Sequence, residues 1–339
     1  MGGAVTIALD AMGGDHAPQS VLRGAHIALE RYPNTNFLLF GPESRVAPLL
    51  AKLPRVSKAA VLHHTSDMLA AEGKPAQGLR IGRGISMRRA IDAIAEGRAD
   101  AVVSGGETGA LTVIATFVLK TLPGIDRPAI AALLPTLRNM SVMLDLGANL
   151  ECDAENLVQF AALGVAFSRS VRCVSDPVVG MLNVGSDEVK GNDIAGIAAA
   201  RLRNSSVPIR FHGFVDGTDI AAGTVDVIVT DGFTGNVALK TMEGTLRFHA
   251  AALRSSFRRA PLARVGCILA RGPLKQFTQR LDPRHYNGAT LLGLRGIVVK
   301  SHGSADATAF ANAIGVAIDM KANDFLGKIR SDLDIQRLA

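Results

Sequence analysis

Apolar runs recur along the chain without alternating with polar residues: VTIALD, FLLFG, AAVLHH, DAVVSG, PAIAALL, SVMLDLG, VVGMLNVG, VDVIVTDG and GIVVKSHG. Continuous apolar runs of this length predict strands buried on both faces. Segments with helical periodicity intervene, such as ISMRRAIDAIAEG and AENLVQFAALGVAF, so the order is strand, helix, strand, helix. That order predicts an α/β protein: a mostly parallel sheet between two layers of helices, a three-layer α/β/α domain. PAIAALLPT is followed so closely by SVMLDLG that no crossover helix fits between them, and this pair is predicted to be antiparallel. No internal repeat or linker breaks the pattern, and residues 1–339 read as one domain.

One segment departs from the alternation. Leu246, Ala250, Leu253 and Phe257 fall on one helical stripe, and after Pro261 a second stripe begins with Leu262, Val265, Ile268 and Leu269. Residues 245–285 therefore read as two amphipathic helices forming an arm. Charge sharpens the picture. Arg247, Arg254, Arg258, Arg259, Arg264, Arg271, Lys275, Arg280 and Arg284 face a single acid, Asp282. The arm thus carries +8 of a net charge of +7, and the remainder sums to −1. Either the stripes dock on the sheet, or the arm is a surface for an acidic protein, an anionic membrane or nucleic acid.

Composition narrows the class. Apolar residues make up 48% and charged residues 20% of the 339, which excludes a disordered chain. Cys152, Cys173 and Cys267 form no C-x-x-C pair, so neither a disulfide framework nor a zinc site is indicated, and a reducing compartment is expected. MGGAVTIALD has no basic n-region and no apolar run reaches the length of a membrane span, so the expected location is cytoplasmic.

In α/β sheets ligands gather at the carboxyl ends of strands, so the loops there carry the candidate chemistry. Five stand out: Asp10 to His16 with Gly13, Gly14 and Asp15; Ser104 to Gly109 with Thr108; Asp145 to Asn149; Asn183 to Asn192 with Gly185 and Lys190; and Asp231 to Asn236 with Thr234 and Gly235. Each combines glycine with Asp, Asn, Ser or Thr, residues that also make ordinary turns and caps. Placed together at one edge of the sheet, the five loops would form a pocket. Gly232 and Gly235 permit close approach of backbone N–H groups where a helix begins, which suits an anion. Lys190, flanked by Gly191, is the candidate cation for phosphate.

Familiar nucleotide and metal patterns are absent. Gly82 and Gly84 are followed by Met87 where a dinucleotide fingerprint needs glycine, and there is no P-loop. Asp216, Asp226 and Asp231 fit turns and strand ends better than a metal site. The expectation is no metal and no cofactor.

The segments DAMGGDHAP, GIDRPA, LDLGAN, NVGSDEVKGN, TDGFTGNVALKTMEG, NGATLLGL and KSHGSAD resemble, in order, those of the bacterial acyl-carrier-protein:phosphate acyltransferase family of phospholipid synthesis. The match runs from about Ile7 to Gly315. The resemblance implies acyl transfer from acyl carrier protein to inorganic phosphate and a homodimer with a fold like the isocitrate and isopropylmalate dehydrogenases. It also implies peripheral attachment to the inner face of the membrane, with no nucleic acid partner. It assigns catalysis to Lys190 and Asn236, while the strand-end loops supply Asp10, Gly13, Gly14, Asp15, His16, Ser104, Thr108, Asn149, Gly185, Asp231, Thr234 and Gly235 as the candidate substrate-binding residues. One departure stands out: Glu107 replaces the asparagine usual in that family, and its carboxylate would repel phosphate if it faced the ligand.

The chemistry this implies needs no cofactor. Phosphate is already anionic and a thiol with a pKa of about 8.5 leaves readily as thiolate, so the site has only to position and to stabilise an oxyanion. Lys190 is expected to neutralise phosphate, the N–H groups around Gly235 to cradle it, and the Asn236 amide to hold the oxyanion. An enzyme of the acetyl-coenzyme A type and a non-catalytic scaffold for carrier protein are the competing readings.

Overall fold

The computed structural model describes residues 4–66, 84–185, 191–205, 209–259, 270, 272 and 282–338. In chain order the strands are β1 (Val5–Asp10), β2 (Thr35–Gly41), β3 (Ala60–His64), β4 (Ala101–Ser104), β5 (Ala129–Pro135), β6 (Met140–Leu144), β7 (Val178–Leu182), β8 (Arg210–Val215), β9 (Val227–Val229), β10 (Ala289–Leu292) and β11 (Ile297–Lys300). The first helices are α1 (Gln19–Arg31), α2 (Glu43–Leu50), α3 (Pro54–Ala59), α4 (Ser86–Ala95) and α5 (Thr108–Leu119). They are followed by α6 (Ala154–Val171), α7 (Asp193–Arg203), α8 (Gly217–Ala222), α9 (Gly232–Arg259), α10 (Ala307–Ala322) and α11 (Phe325–Leu338).

Among the described residues these eleven strands form one sheet in the order β3-β2-β1-β4-β11-β10-β5-β6-β9-β7-β8. Successive residues of a strand point to opposite faces, and the core divides accordingly. Ile7 and Leu9 of β1 join the cluster under α1, α6 and α10, whereas Ala8 joins Met87, Ala110 and Ile114 on the other face. The three layers expected from the apolar runs are thus present.

Strand directions correct one expectation. β4 and β11 run parallel, β10 is antiparallel to β11, β5 to β10, and β6 to β5, while β6, β9, β7 and β8 run parallel to one another. The antiparallel β5–β6 pair predicted from its short connection therefore reverses half the sheet. The loops after β1 and β4 lie at one edge, and those after β6, β7 and β9 at the opposite edge. Five loops do not share one rim.

What brings the halves together is α9. It leaves the end of β9 and continues for 28 residues, about 42 Å at 1.5 Å per residue. Ala238, Leu239 and Met242 pack on the sheet face lined by Ile130, Met143 and Leu146. The arm expected from residue 245 is not separate at its start: its first stripe belongs to this same helix. Beyond Gly244, Ala250 and Leu253 are exposed, Leu246 is half-buried, and Phe248 is 69% exposed, so in the single chain the stripe is not docked on the sheet. Residues 260–269 of the arm lie outside the described residues.

Candidate active site

The first cluster is built from loops after β1, β4 and β11. Asp10 is buried and accepts the hydroxyls of Ser86 and Ser104, each at 2.6 Å, and the Met12 N–H at 3.2 Å. Burial pushes its carboxyl above the ordinary range, against the pull of those donors. The loops touch backbone to backbone. A Cβ on Gly13 would sit 2.5 Å from Asp10 Oδ2 and 2.7 Å from the Gly106 nitrogen, and Gly14 holds φ at +109° against the Gly303 carbonyl. Asp15 N–H donates to Gly303 O at 2.8 Å, and Ser301 N–H to Ser104 O at 2.9 Å. Asp15 and His16 are exposed, and Thr108 opens α5.

The second cluster surrounds the end of β6. Asp145 is fully buried and accepts N–H bonds from Ile130, Ala148 and Asn149 at 2.7–3.0 Å, from Gly147 at 3.2 Å, and one from Asn149 Nδ2 at 2.9 Å. Burial raises its pKa and the donors hold it down. Asn149 also donates to Pro128 O and receives the Gly232 N–H at 2.8 Å, fixing the start of α9. Asn236, exposed on the second turn of α9, donates one amide hydrogen to Leu146 O at 3.1 Å, which leaves its second N–H for a ligand.

Two sequence expectations change in detail here. Thr234 N–H and Oγ1 both bond to the Asp231 carboxylate, at 2.9 and 2.7 Å, and Gly235 N–H bonds to Asp231 O. The donors expected to cradle an anion around Gly235 are therefore engaged by Asp231, the helix's own cap. Gly235 serves close packing instead: a Cβ there would lie 1.9 Å from Asp145 O. Lys190 lies outside the described residues, and Gly185 ends the described stretch before it.

The clusters meet along α9. Lys240 lies one turn beyond Asn236 on the same stripe, pairs with Glu243 at 3.0 Å, and sits close enough to Lys300 and His302 to disfavour their charged forms.

A family model described as "Fatty acid synthesis protein" matches residues 5–328. A phosphate acyltransferase of Rhodospirillum centenum is 58% identical over 96% of this chain and 92% of its own length. The chain belongs to the phosphate acyltransferase family. The phosphate acyltransferase of Paramagnetospirillum magneticum is 50% identical, covering 98% and 95% of the two chains. In fold, the chain is similar to a phosphotransacetylase from Streptococcus pyogenes (TM-score 0.64, 17% identity, 94% of both chains). It is also similar to a branched-chain phosphotransacylase from Enterococcus faecalis (TM-score 0.61, 13% identity, 94% and 100%).

Within this member of the family, three basic side chains gather here that motif reasoning passes over: Lys240, Lys300 and His302. Lys300 ends β11, with its ammonium donating to the Ser301 carbonyl. Burial lowers its pKa to about 8, with Glu107, Asp10 and Asp15 partly restoring the charge. His302 is likewise lowered by burial, then by Lys240. Its Nδ1 accepts the Ser304 N–H at 3.2 Å, which assigns the hydrogen of the neutral ring to Nε2. Lys300 and His302 belong to KSHGSAD, and Lys240 to TDGFTGNVALK; the signal was in segments that carry the resemblance, not in a spacing rule.

A lysine held at about pKa 8 rather than 10.5 costs the fold on the order of 3 kcal/mol at neutral pH. Below pH 8 both folded and unfolded chains carry the proton and the cost stands in full. Between 8 and 10.5 the folded chain releases its proton first, so stability rises with pH. Lys300→Met is accordingly expected to raise the urea midpoint at pH 7, by a margin that shrinks as pH increases from 8 to 10.

Glu107 is turned onto its own helix, where its carboxylate accepts the Gly109 and Ala110 N–H groups as the N-cap of α5. It therefore faces the helix donors rather than a ligand, which resolves the departure noted above. Glu107→Ala is expected to lose about 1 kcal/mol of stability in urea unfolding, and Glu107→Asn, which keeps a capping side chain, to lose less. Cys152 is not a nucleophile candidate: burial, then Asp145, pushes its thiol up to about 11.

Proposed function

We propose that this enzyme transfers a fatty acyl group from the thioester of acyl carrier protein to inorganic phosphate, giving acyl phosphate for phospholipid synthesis. Acyl transfer onto phosphate comes with the family; the carrier-protein donor is the further step of the proposal. The observation that carries it is the stripe of α9 that sets Asn236 against Leu146 O and, one turn on, Lys240 near Lys300 and His302.

A phosphate oxygen attacks the carbonyl carbon, the new C–O bond forms, and the tetrahedral oxyanion collapses with loss of the C–S bond. The sulfur departs as thiolate and takes its proton from water. Asn236 donates its second N–H to the oxyanion, while Lys300 and Lys240 attract and orient phosphate, joined by Lys190 on the strength of the sequence resemblance. Each is a positioning or electrostatic task, achieved without a covalent enzyme intermediate. With Lys300 near pKa 8, KM for phosphate should rise about tenfold between pH 7 and 9 as the ammonium is lost.

The proposal includes a homodimer, peripherally attached to an anionic membrane on its cytoplasmic side. The +8 arm and the exposed Phe248 and Leu253 support a surface that seeks an acidic and partly apolar partner. Among the described residues no helix is long and apolar enough to cross a membrane. If charge steers the carrier protein, raising salt should increase KM for acyl carrier protein about tenfold while leaving activity on a simple thioester unchanged.

The deciding experiment incubates the enzyme with acyl carrier protein thioester and phosphate and traps acyl phosphate with hydroxylamine. Phosphate-dependent hydroxamate, with carrier protein preferred over coenzyme A thioester, is the expected result. No trapped product, or a preference for coenzyme A, would overturn the reading.

A further inference from the structure

Beyond the polar clusters, a cleft of about 1200 Å³ opens along the first turns of α6, α7 and α9 and the ends of β7 and β9. Apolar side chains make up much of its lining, Leu150, Leu182, Phe233 and Val237 among them. Several stand open to solvent. Leu150 is 68%, Phe233 62% and Val237 51% exposed. Such a concentration of exposed apolar side chains around one concavity marks a binding surface.

We infer that this cleft holds the hydrocarbon tail of the fatty acyl donor and sets its chain-length preference; the inference rests on the acyl transfer proposed above. Three observations favour that occupant. Thr234 and Val237 line the cleft and flank Asn236, so a carbonyl held by the Asn236 amide has its alkyl chain beside the cleft. Phe233 and Val237 form the α9 stripe adjoining that of Asn236 and Lys240, so one helix presents an apolar wall and a polar one at their junction. The volume is at the upper end of, or beyond, the roughly 300–1,000 Å³ usual for small-ligand pockets, so a long alkyl chain fits within it. The charged residues that line it, Arg127, Glu151, Asp153 and Asp231, contrast with an apolar floor of Leu157, Met181, Ala195 and Ile220.

The test is a series of saturated acyl thioesters from four to sixteen carbons, assayed for hydroxylamine-trapped product. In the parent enzyme kcat/KM is expected to climb by roughly fourfold per added methylene until the cleft is filled. Ala195→Phe, which places a ring on the floor, should cut kcat/KM for sixteen carbons at least tenfold while leaving four carbons within twofold. Leu150→Ser, at an exposed wall position that does not support the core, should lower long-chain activity several-fold with the same sparing of short chains. Folding of each variant is checked by thermal unfolding, and Leu150→Ser stands alone if Ala195→Phe does not fold.

Equal loss or no loss across all chain lengths in a folded variant would overturn the inference. So would a change of oligomeric state in Leu150→Ser with chain preference intact, since the face would then be a contact between copies. A parent enzyme that forms no acyl phosphate from any donor would instead defeat the underlying reading, a result distinct from an unshifted chain preference.

Discussion

Asn236→Ala is expected to lower kcat by a factor of a hundred or more while leaving the melting temperature within a few degrees. Its side chain is exposed and one N–H is spent on Leu146 O at 3.1 Å, so truncation removes little packing. What it removes is a donor already oriented by that anchor. Loss of one such oxyanion donor typically costs about 3 kcal/mol of transition-state stabilisation. The effect should fall on kcat more than on KM for phosphate, because the oxyanion exists only in the transition state. Steady-state kinetics with a simple acyl thioester would check it, and a variant with near-parental kcat would remove Asn236 from the chemistry.

Gly235→Ala is expected to be the more damaging change, though it adds a single methyl. The ideal Cβ would stand 1.9 Å from Asp145 O and 3.0 Å from Thr230 Cγ2, and neither partner is the free end of a flexible side chain. Asp145 is held by five hydrogen bonds from its own loop and β5, so it cannot step aside. The start of α9 must move. We expect a loss of about 4 kcal/mol or more, among the larger effects of a point mutation, together with a fall in activity, since a shift of about 1 Å in a positioning group costs on the order of a hundredfold. Gly244→Ala is the control within the same helix. Nothing lies within 4 Å of its Cβ position, and it should stabilise by about 0.5–1 kcal/mol. Thermal unfolding of the pair separates the effect of contact from that of adding a methyl to a helix.

Much of the fold was legible because buried strands declare themselves by composition. All nine predicted apolar runs are strands. β8 and β10 escaped notice for identifiable reasons. RFHGFV is broken by His212 and by Gly213 at φ +115°, where its pairing with β7 slips register at an edge of the sheet, and ATLL is only four residues long. The antiparallel β5–β6 pair was readable from the length of its connection, but reversal of half the sheet follows only from the pairing of β6 with β9, a contact between distant parts of the chain.

The candidate site was legible in part. Glycines mark where backbones must approach, and Gly13, Gly14 and Gly235 do meet other backbones. Whether such a glycine admits a ligand or a neighbouring loop is decided by tertiary packing, and for Gly235 the neighbour is Asp145 O. Lys300 was opaque for a related reason. A lysine after an apolar strand looks like any solvated terminus until the loops of β1 and β4 are seen to close over it. Glu107 was opaque as well: glutamate is not among the residues favoured at an N-cap, and only the fold shows its carboxylate turned onto the Gly109 and Ala110 N–H groups.

The unbroken course of α9 makes it a lever. Asn236 and Lys240 ride near its fulcrum, clamped by Gly232 and Gly235 against the 145–149 loop, while the turns beyond Gly244 form the far end. A torque applied to that end by anything that grips it travels down the rod to the amide and the ammonium, and Gly244, which lacks a side chain and has nothing within 4 Å of its Cβ position, is the turn at which the rod would give first.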